Sequence, residues 1–414
     1  MPDGAAAGAA RSSTLRATFA IAPALIAFSM GQTVLFAVAG PVFRDIGLSE
    51  LQLGIIVSAA AVVFVIGSPV WGRLADHWGR KRVILFGMAT YAVTSLLFAG
   101  VLNLGVLGLL GAGMVFALLL ITRLTYAALG AGIQPASVAV MADLSTEANR
   151  SSSVAIVGAA FGLGMILGPA AAALLVGWGV LVPLYAVAGL GLVAVVNAAF
   201  LLEEPERPDT TEAEARSRVE IGPLLPIMAA SLLLFTAISA LQQTMAFYVQ
   251  DFLGADAAGA ARATGACFVA MAFATLLAQG GLIQWLKPSP AILLRFGLPL
   301  LLIGIVLYTF APSFPLLVGA ATIMGLGFGL ANPGLTASAS LLVADTKQGE
   351  AAGLLQAVMA GGYIFGPVVG TGLYQQAPEV ANGFMAAVVG LSLLATLFAR
   401  TPKPKPSEEE SALA

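Results

Sequence analysis

Charge is what this sequence of 414 residues has least of: Lys, Arg, Asp and Glu together make up 10% of it, against about 25% in an average soluble domain. With 59% hydrophobic residues and a mean hydropathy of +0.95, the chain cannot coat itself in polar groups and belongs in a lipid bilayer. Cysteine is nearly absent. Cys267 stands alone inside an apolar run, which excludes a disulfide framework and a Cys/His metal cluster. The one histidine, His77, sits in a charged loop, and there is no H-E-x-x-H pattern, no Walker motif and no pair of embedded aspartates. An intramembrane enzyme and an ATP-driven pump are therefore disfavoured, and no metal or cofactor is expected. A net charge of −2 and the lack of a basic, aromatic-interleaved stretch leave no footprint for nucleic acid. Period-two alternation is missing too, which excludes a membrane β-barrel.

What is there instead is a succession of apolar runs of about 20 residues or more, long enough to cross a bilayer as helices. Twelve are read, over 17–39, 51–72, 83–103, 112–141, 152–177, 180–202, 223–249, 258–286, 291–311, 314–343, 350–374 and 379–400. The fold class expected is an all-α membrane protein of twelve transmembrane helices in two six-helix bundles. Lys and Arg orient it. With the N-terminus inside, 16 of the 19 fall on inner segments and only Arg44 and Arg262 on outer ones, Arg123 being the one inside a span. This bias places both termini in the cytoplasm and the protein in the cell (inner) membrane by the positive-inside rule. A tail over 1–16 and another over 401–414 flank the bundles at 17–202 and 223–400. The run EEPERPDTTEAEARSRVE within 203–222 reads as a solvated cytoplasmic linker.

The halves repeat one design. QTVLFAV (32–38) returns as QTMAFYV (243–249), Pro135 and Gly168-Pro169 return as Pro333 and Gly366-Pro367 with the same internal spacing, and Gly164 matches Gly362. Parallel six-helix repeats of this kind place a substrate site between the halves near the midplane.

The loop Gly72-x-Leu74-Ala75-Asp76-x-x-Gly79-Arg80-Lys81-Arg82 is the densest charge cluster in the chain. It resembles the signature loop between spans 2 and 3 of the major facilitator superfamily. The glycine-rich span 5, with Gly158, Gly162, Gly164 and Gly168-Pro169, is similar to the antiporter signature of that superfamily's drug:proton exporters. The resemblance implies twelve-span secondary transport of a small-molecule substrate by alternating access, with efflux of largely apolar compounds as the leading reading and protons as the coupling ion. Uptake of a metabolite such as a sugar or organic acid is the alternative. A monomer in the lipid bilayer suffices for either. The chain departs from the family pattern in three places. Tyr126-Ala127 stand where a Gln-Gly pair is usual after Arg123, Ala172-Ala173 replace a glycine pair, and no acidic residue falls in the middle of a span.

From these follow the candidate residues. Gly72, Asp76, Gly79, Arg80 and Asp143 are expected to form a gate, in which the Asp76 carboxylate faces the positive N-terminus of a helix of the other half; by the resemblance that helix is span 11 and Arg80 pairs with Asp143. Lys81 and Arg82 are accounted for by topology alone. Buried polar groups are costly in hydrocarbon, so Gln32, Gln134, Gln243 and Asn332 are expected either on the substrate path or as hydrogen bonds between helices. Tyr126 and Tyr363 add aromatic surface. Arg123 either anchors at the outer headgroups or serves substrate or proton transfer, with Asp251 or the substrate as its partner. Gly158, Gly162, Gly164, Gly168, Pro169, Gly362, Gly366 and Pro367 are read as packing and bending positions, since small residues let membrane helices approach.

Overall fold

The computed structural model describes residues 3–145, 149–204, 220–344 and 347–399. Twelve helices in it are long and apolar enough to cross a membrane: α1 (Thr14–Asp45), α2 (Glu50–Trp78), α3 (Arg80–Val106), α4 (Ala112–Asp143), α5 (Ser152–Trp178), α6 (Val182–Leu201), α7 (Ile221–Leu253), α8 (Ala257–Leu286), α9 (Pro290–Thr309), α10 (Phe314–Leu341), α11 (Gln348–Tyr374) and α12 (Pro378–Leu397). No strand occurs among the described residues. Helices are the form that satisfies every backbone group within its own segment where no water is at hand. The linker expected over 203–222 and the tail over 401–414 lie mostly or wholly outside the described residues.

Each half packs in the same way. α1 lies against α5 and α6 as α7 lies against α11 and α12; α3 packs on α4 and α6 as α9 packs on α10 and α12. The two halves meet along α2 with α11 and α5 with α8. Three apolar cores result. One belongs to the first half around Leu25, Ile84, Met88 and Tyr91, and one to the second around Leu234, Leu298, Leu301 and Met324. The third is shared: Val38, Phe43 and Leu53 pack with Phe247, Ala261 and Tyr374.

Some boundaries differ from the sequence reading. α1 does not end at 39 but runs through Gly40-Pro41 to Asp45. A proline is tolerated there because neighbouring helices and local adjustment absorb the one lost donor. The span expected over 112–141 is interrupted between Gly130 and Ile133, where Pro135 has no N–H to offer the carbonyl of Ala131. Its mirror Pro333 leaves α10 unbroken. α8 contains one π-helical stretch, Leu277–Leu282, that no pattern announced.

Candidate functional site

Residues 72–82, expected as a loop, are the end of α2 and the start of α3 with Gly79 alone between them, and at this end of the bundle the Arg80 guanidinium bridges helices. It forms an ion pair with Asp143 of α4, donates to the carbonyl of Ala139 at 2.7 Å, and lies 3.8 Å from Asp76 one turn before it. Gly79 has φ +108°, a conformation that glycine adopts without strain. A Cβ there would also stand 3.0 Å from the carboxylate of Glu204. That carboxylate accepts from the backbone N–H groups of Arg80 (2.5 Å) and Lys81 (3.1 Å), capping the start of α3. All of these contacts lie within the first half. Toward the second half the loop end is open. The Asp76 side chain is 64% exposed, and among the described residues nothing lies within 4 Å of a Cβ added at Gly72, Gly158, Gly162, Gly349 or Gly353. Between α5 on one side and α10 and α11 on the other lies a cavity of about 630 Å³, lined by Val154, Thr336, Ser340 and Gly349 among others. Among the described residues Asp76 pairs only with Arg80 and with nothing on α11, and a Cβ added at Gly158 or Gly162, expected as packing positions, would meet nothing within 4 Å.

The opposite end is shut. Arg44 of α1 donates to both carboxylate oxygens of Asp251 on α7, at 2.5 and 3.0 Å, and to Glu50 at the start of α2 at 2.8 Å. Tyr374 of α11 donates to the same Asp251 at 2.6 Å, and the guanidinium stands 5.0 Å over the Phe247 ring. Below this knot the seams are tight. Ser58 accepts the N–H of Val368 at 3.1 Å. A Cβ at Gly54 would run into Thr371 and Pro367, and one at Gly265 would lie 2.8 Å from the carbonyl of Pro169. Asp251, expected as a partner for Arg123, is taken by Arg44 and Tyr374. Glycines in α5 and α11 serve contacts inside each half: Gly164 and Gly168 rest on Ser29 and Thr33 of α1, while Gly362 and Gly366 rest on Phe235 and Ser239 of α7. Ser239 also donates to the carbonyl of Gly362 at 2.9 Å. Pro367 borders the α2 seam.

Between the two ends, Arg123 points inward and not to headgroups. Its Nη2 donates to Gln32 Oε1 at 2.7 Å, the Gln32 amide nitrogen donates to the Tyr126 hydroxyl, and the guanidinium lies 4.9 Å from the Tyr126 ring and 6.0 Å from that of Phe98. Its Nε is covered and has no partner. Phe28 gathers Phe64, Tyr126 and Phe161 around it at 5.9 to 6.5 Å, so rings from α1, α2, α4 and α5 form one aromatic group. The second half repeats this with Phe235 near Phe328 and Tyr363. Gln243, the mirror of Gln32, is buried with neither amide atom bonded. Gln134 and Asn332 are half-buried on α4 and α10.

Residues 21–302 and 289–413 match the family model described as Major Facilitator Superfamily. The chain belongs to the major facilitator superfamily. This major facilitator transporter is 25% identical over 383 residues to Multidrug resistance protein 1 of Bacillus subtilis (strain 168), with 91% of this chain and 94% of that protein covered. It is 28% identical to Multidrug resistance protein 2 of the same organism over 84% of this chain and 86% of that one. Quinolone resistance protein NorA of Staphylococcus aureus (strain MSSA476) shares 24% over 85% and 88%. In fold it is similar to a bacterial homologue of the human lysosomal transporter Spinster, solved in an inward-facing and occupied conformation, with a TM-score of 0.70 at 15% identity over 93% of this chain and 95% of that one. The nucleoside transporter NupG superposes with a TM-score of 0.71 at 15% identity over 94% and 99%.

Sequence reasoning on this major facilitator transporter missed the knot around Arg44, whose members come from four helices: Arg44 counted only as an outer charge, and Asp251 only as a possible partner of Arg123. It also missed Phe28, Phe64, Phe161, Phe235 and Phe328. A chain with 22 phenylalanines gives no local signal for which of them converge.

Proposed function

We propose that this transporter exports small, largely apolar compounds by alternating access, from a cavity between the halves that here faces the cytoplasm. The orientation is that of the positive-inside bias, with both termini cytoplasmic in a cell inner membrane. The observation that carries the reading is the asymmetry of the seams: the Arg44–Asp251–Tyr374 knot shuts one end while a cavity of about 630 Å³ opens at the other. Aromatic groups around Phe28 and Phe235, with no carboxylate among them, suit an apolar cargo. The resistance proteins named above favour efflux over uptake. Outward turnover requires the knot to break and Asp76 to dock at the start of α11, so the two carboxylates act at opposite ends of one cycle. For a neutral cargo the energy has to come from a coupled ion, and protons are the ion expected. Everted membrane vesicles test direction. An exporter accumulates a neutral lipophilic dye such as N-phenyl-1-naphthylamine in them on energisation, whereas accumulation only in right-side-out vesicles makes this an importer.

A further inference from the structure

We propose that Arg123 sorts cargo by charge: the site accepts amphiphiles carrying one negative charge, disfavours cations, and lets the membrane potential drive the export of the anions. This rests on the export reading, names its substrate class, and for that class puts the membrane potential in place of a proton as the driving force. Among the described residues Arg123 is in no ion pair, and no Asp or Glu anywhere in the sequence lies mid-span to answer it. A charge within a membrane span is retained where it meets a wet cavity, a partner or a ligand. Here the only side-chain oxygen it bonds is a neutral amide, Gln32 Oε1 at 2.7 Å, and Nε has nothing. An anionic group in place of that amide turns a single hydrogen bond to a neutral acceptor into a bidentate ion pair. The Gln32 side chain is half-buried on α1, so rotating it uncovers the guanidinium. The space beside Arg123 is about 20 Å³, lined by Thr94, Thr122 and Phe98, room for about one water. An anionic oxygen therefore reaches the guanidinium by taking the place that Gln32 Oε1 leaves as that side chain swings away, and the rings of Phe98 and Tyr126 beside Arg123 offer the apolar surface next to it.

The energy source follows from the sign. A cell interior is negative, so each exported monoanion moves with the field, and about 100 mV multiplies its equilibrium accumulation about 50-fold. Such a carrier draws on the electrochemical gradient with no titrating acid at mid-span, which is the composition seen.

Purified protein in proteoliposomes tests this, with 8-anilino-1-naphthalenesulfonate as the monoanion, ethidium as the cation and neutral N-phenyl-1-naphthylamine, which lacks only the sulfonate, as competitor. A potassium diffusion potential with strong buffer at equal pH is expected to drive accumulation of the sulfonate toward a ceiling of about 50-fold at 100 mV. A pH gradient at zero potential is expected to drive none. Gln32→Glu supplies Arg123 with an internal carboxylate and so spares folding. It should lower the ratio of sulfonate to ethidium flux by about tenfold or more, the scale of one charge-assisted contact. Arg123→Lys should keep part of the sulfonate flux that Arg123→Gln loses. Ethidium moved in preference by the wild type, or an unchanged ratio in Gln32→Glu, overturns the charge sorting while export stands. A wild type that moves neither dye, and that accumulates no N-phenyl-1-naphthylamine in everted vesicles, overturns both.

Discussion

Arg44 holds four helices at once, and its removal has a calculable effect on which way the transporter faces. Its bonds to Asp251 are bidentate, which makes them stronger than a single neutral contact. Because Asp251 is 43% exposed, solvent screening reduces their net worth to about 1 kcal/mol. Arg44→Ala should therefore shift the ratio of outward- to inward-facing molecules about fivefold toward outward. Spin labels at Leu107 and Gln376, exposed residues at the knotted end on opposite halves, would read this as growth of the longer distance. An unchanged distribution would show that the apolar seam, not the charge, holds this end shut. Adding Asp251→Asn to Arg44→Ala should cost little more, since one pair is already broken. Arg44 and Asp251 are 207 residues apart in the chain, and no spacing rule encodes a pair that only the meeting of two bundles creates. The 72–82 loop was legible because its partners lie within one or two turns or on a neighbouring helix of the same half. The sequence offers Asp251 as one of two partners for Arg123, the substrate being the other, because both residues lie toward the outer side of their spans, and depth along a helix says nothing about which helix faces it.

Helices carry a different kind of information, and here the sequence was more readable. The equal spacing of prolines and glycines in the halves announced a repeated packing scheme, and α5 on α1 and α11 on α7 are that scheme. What spacing alone does not tell is which glycines touch something in a given conformation. Gly366 lies against Ser239 and Thr236, whereas Gly158 faces open space. Gly366→Leu should overpack the α7–α11 contact and cost about 1–3 kcal/mol, visible as a melting point lower by several degrees. Gly158→Leu should leave the melting point of the inward-facing protein where it is and slow turnover, because α5 must approach the other half when the loop end closes. If both variants melt early, Gly158 is a packing position after all and the open cavity is not the working one. The ends of α1 and the break in α4 were not legible, because proline marks a lost hydrogen bond without saying whether neighbouring helices make it good.

At the scale of the whole molecule the proposed cycle gives the two halves one latch at each end, and in that cycle the latches compete. The Arg44 knot is formed and the Asp76 contact is not, so the structure is one of two states whose balance both ends set. A change at one end therefore acts at the other without any path of contacts between them. Asp76→Asn removes the charge that the start of α11 would stabilise by about 0.3–1 kcal/mol. Its expected effect is a two- to fivefold loss of the outward-facing population, the opposite of Arg44→Ala. Labels at Ser152 and Leu341, flanking the open cavity on α5 and α10, should then show the long distance gain at the expense of the short one. The double variant, Arg44→Ala with Asp76→Asn, should return near the wild-type distribution, because two changes far apart with no shared partner add. Transport should nonetheless stay low in it, since both closed ends have lost their fastening and each state leaks more readily to the other. A double variant that stays as outward-facing as Arg44→Ala alone would mean that Asp76 does not fasten the loop end, and that the gate assigned to it lies elsewhere along α2 and α11.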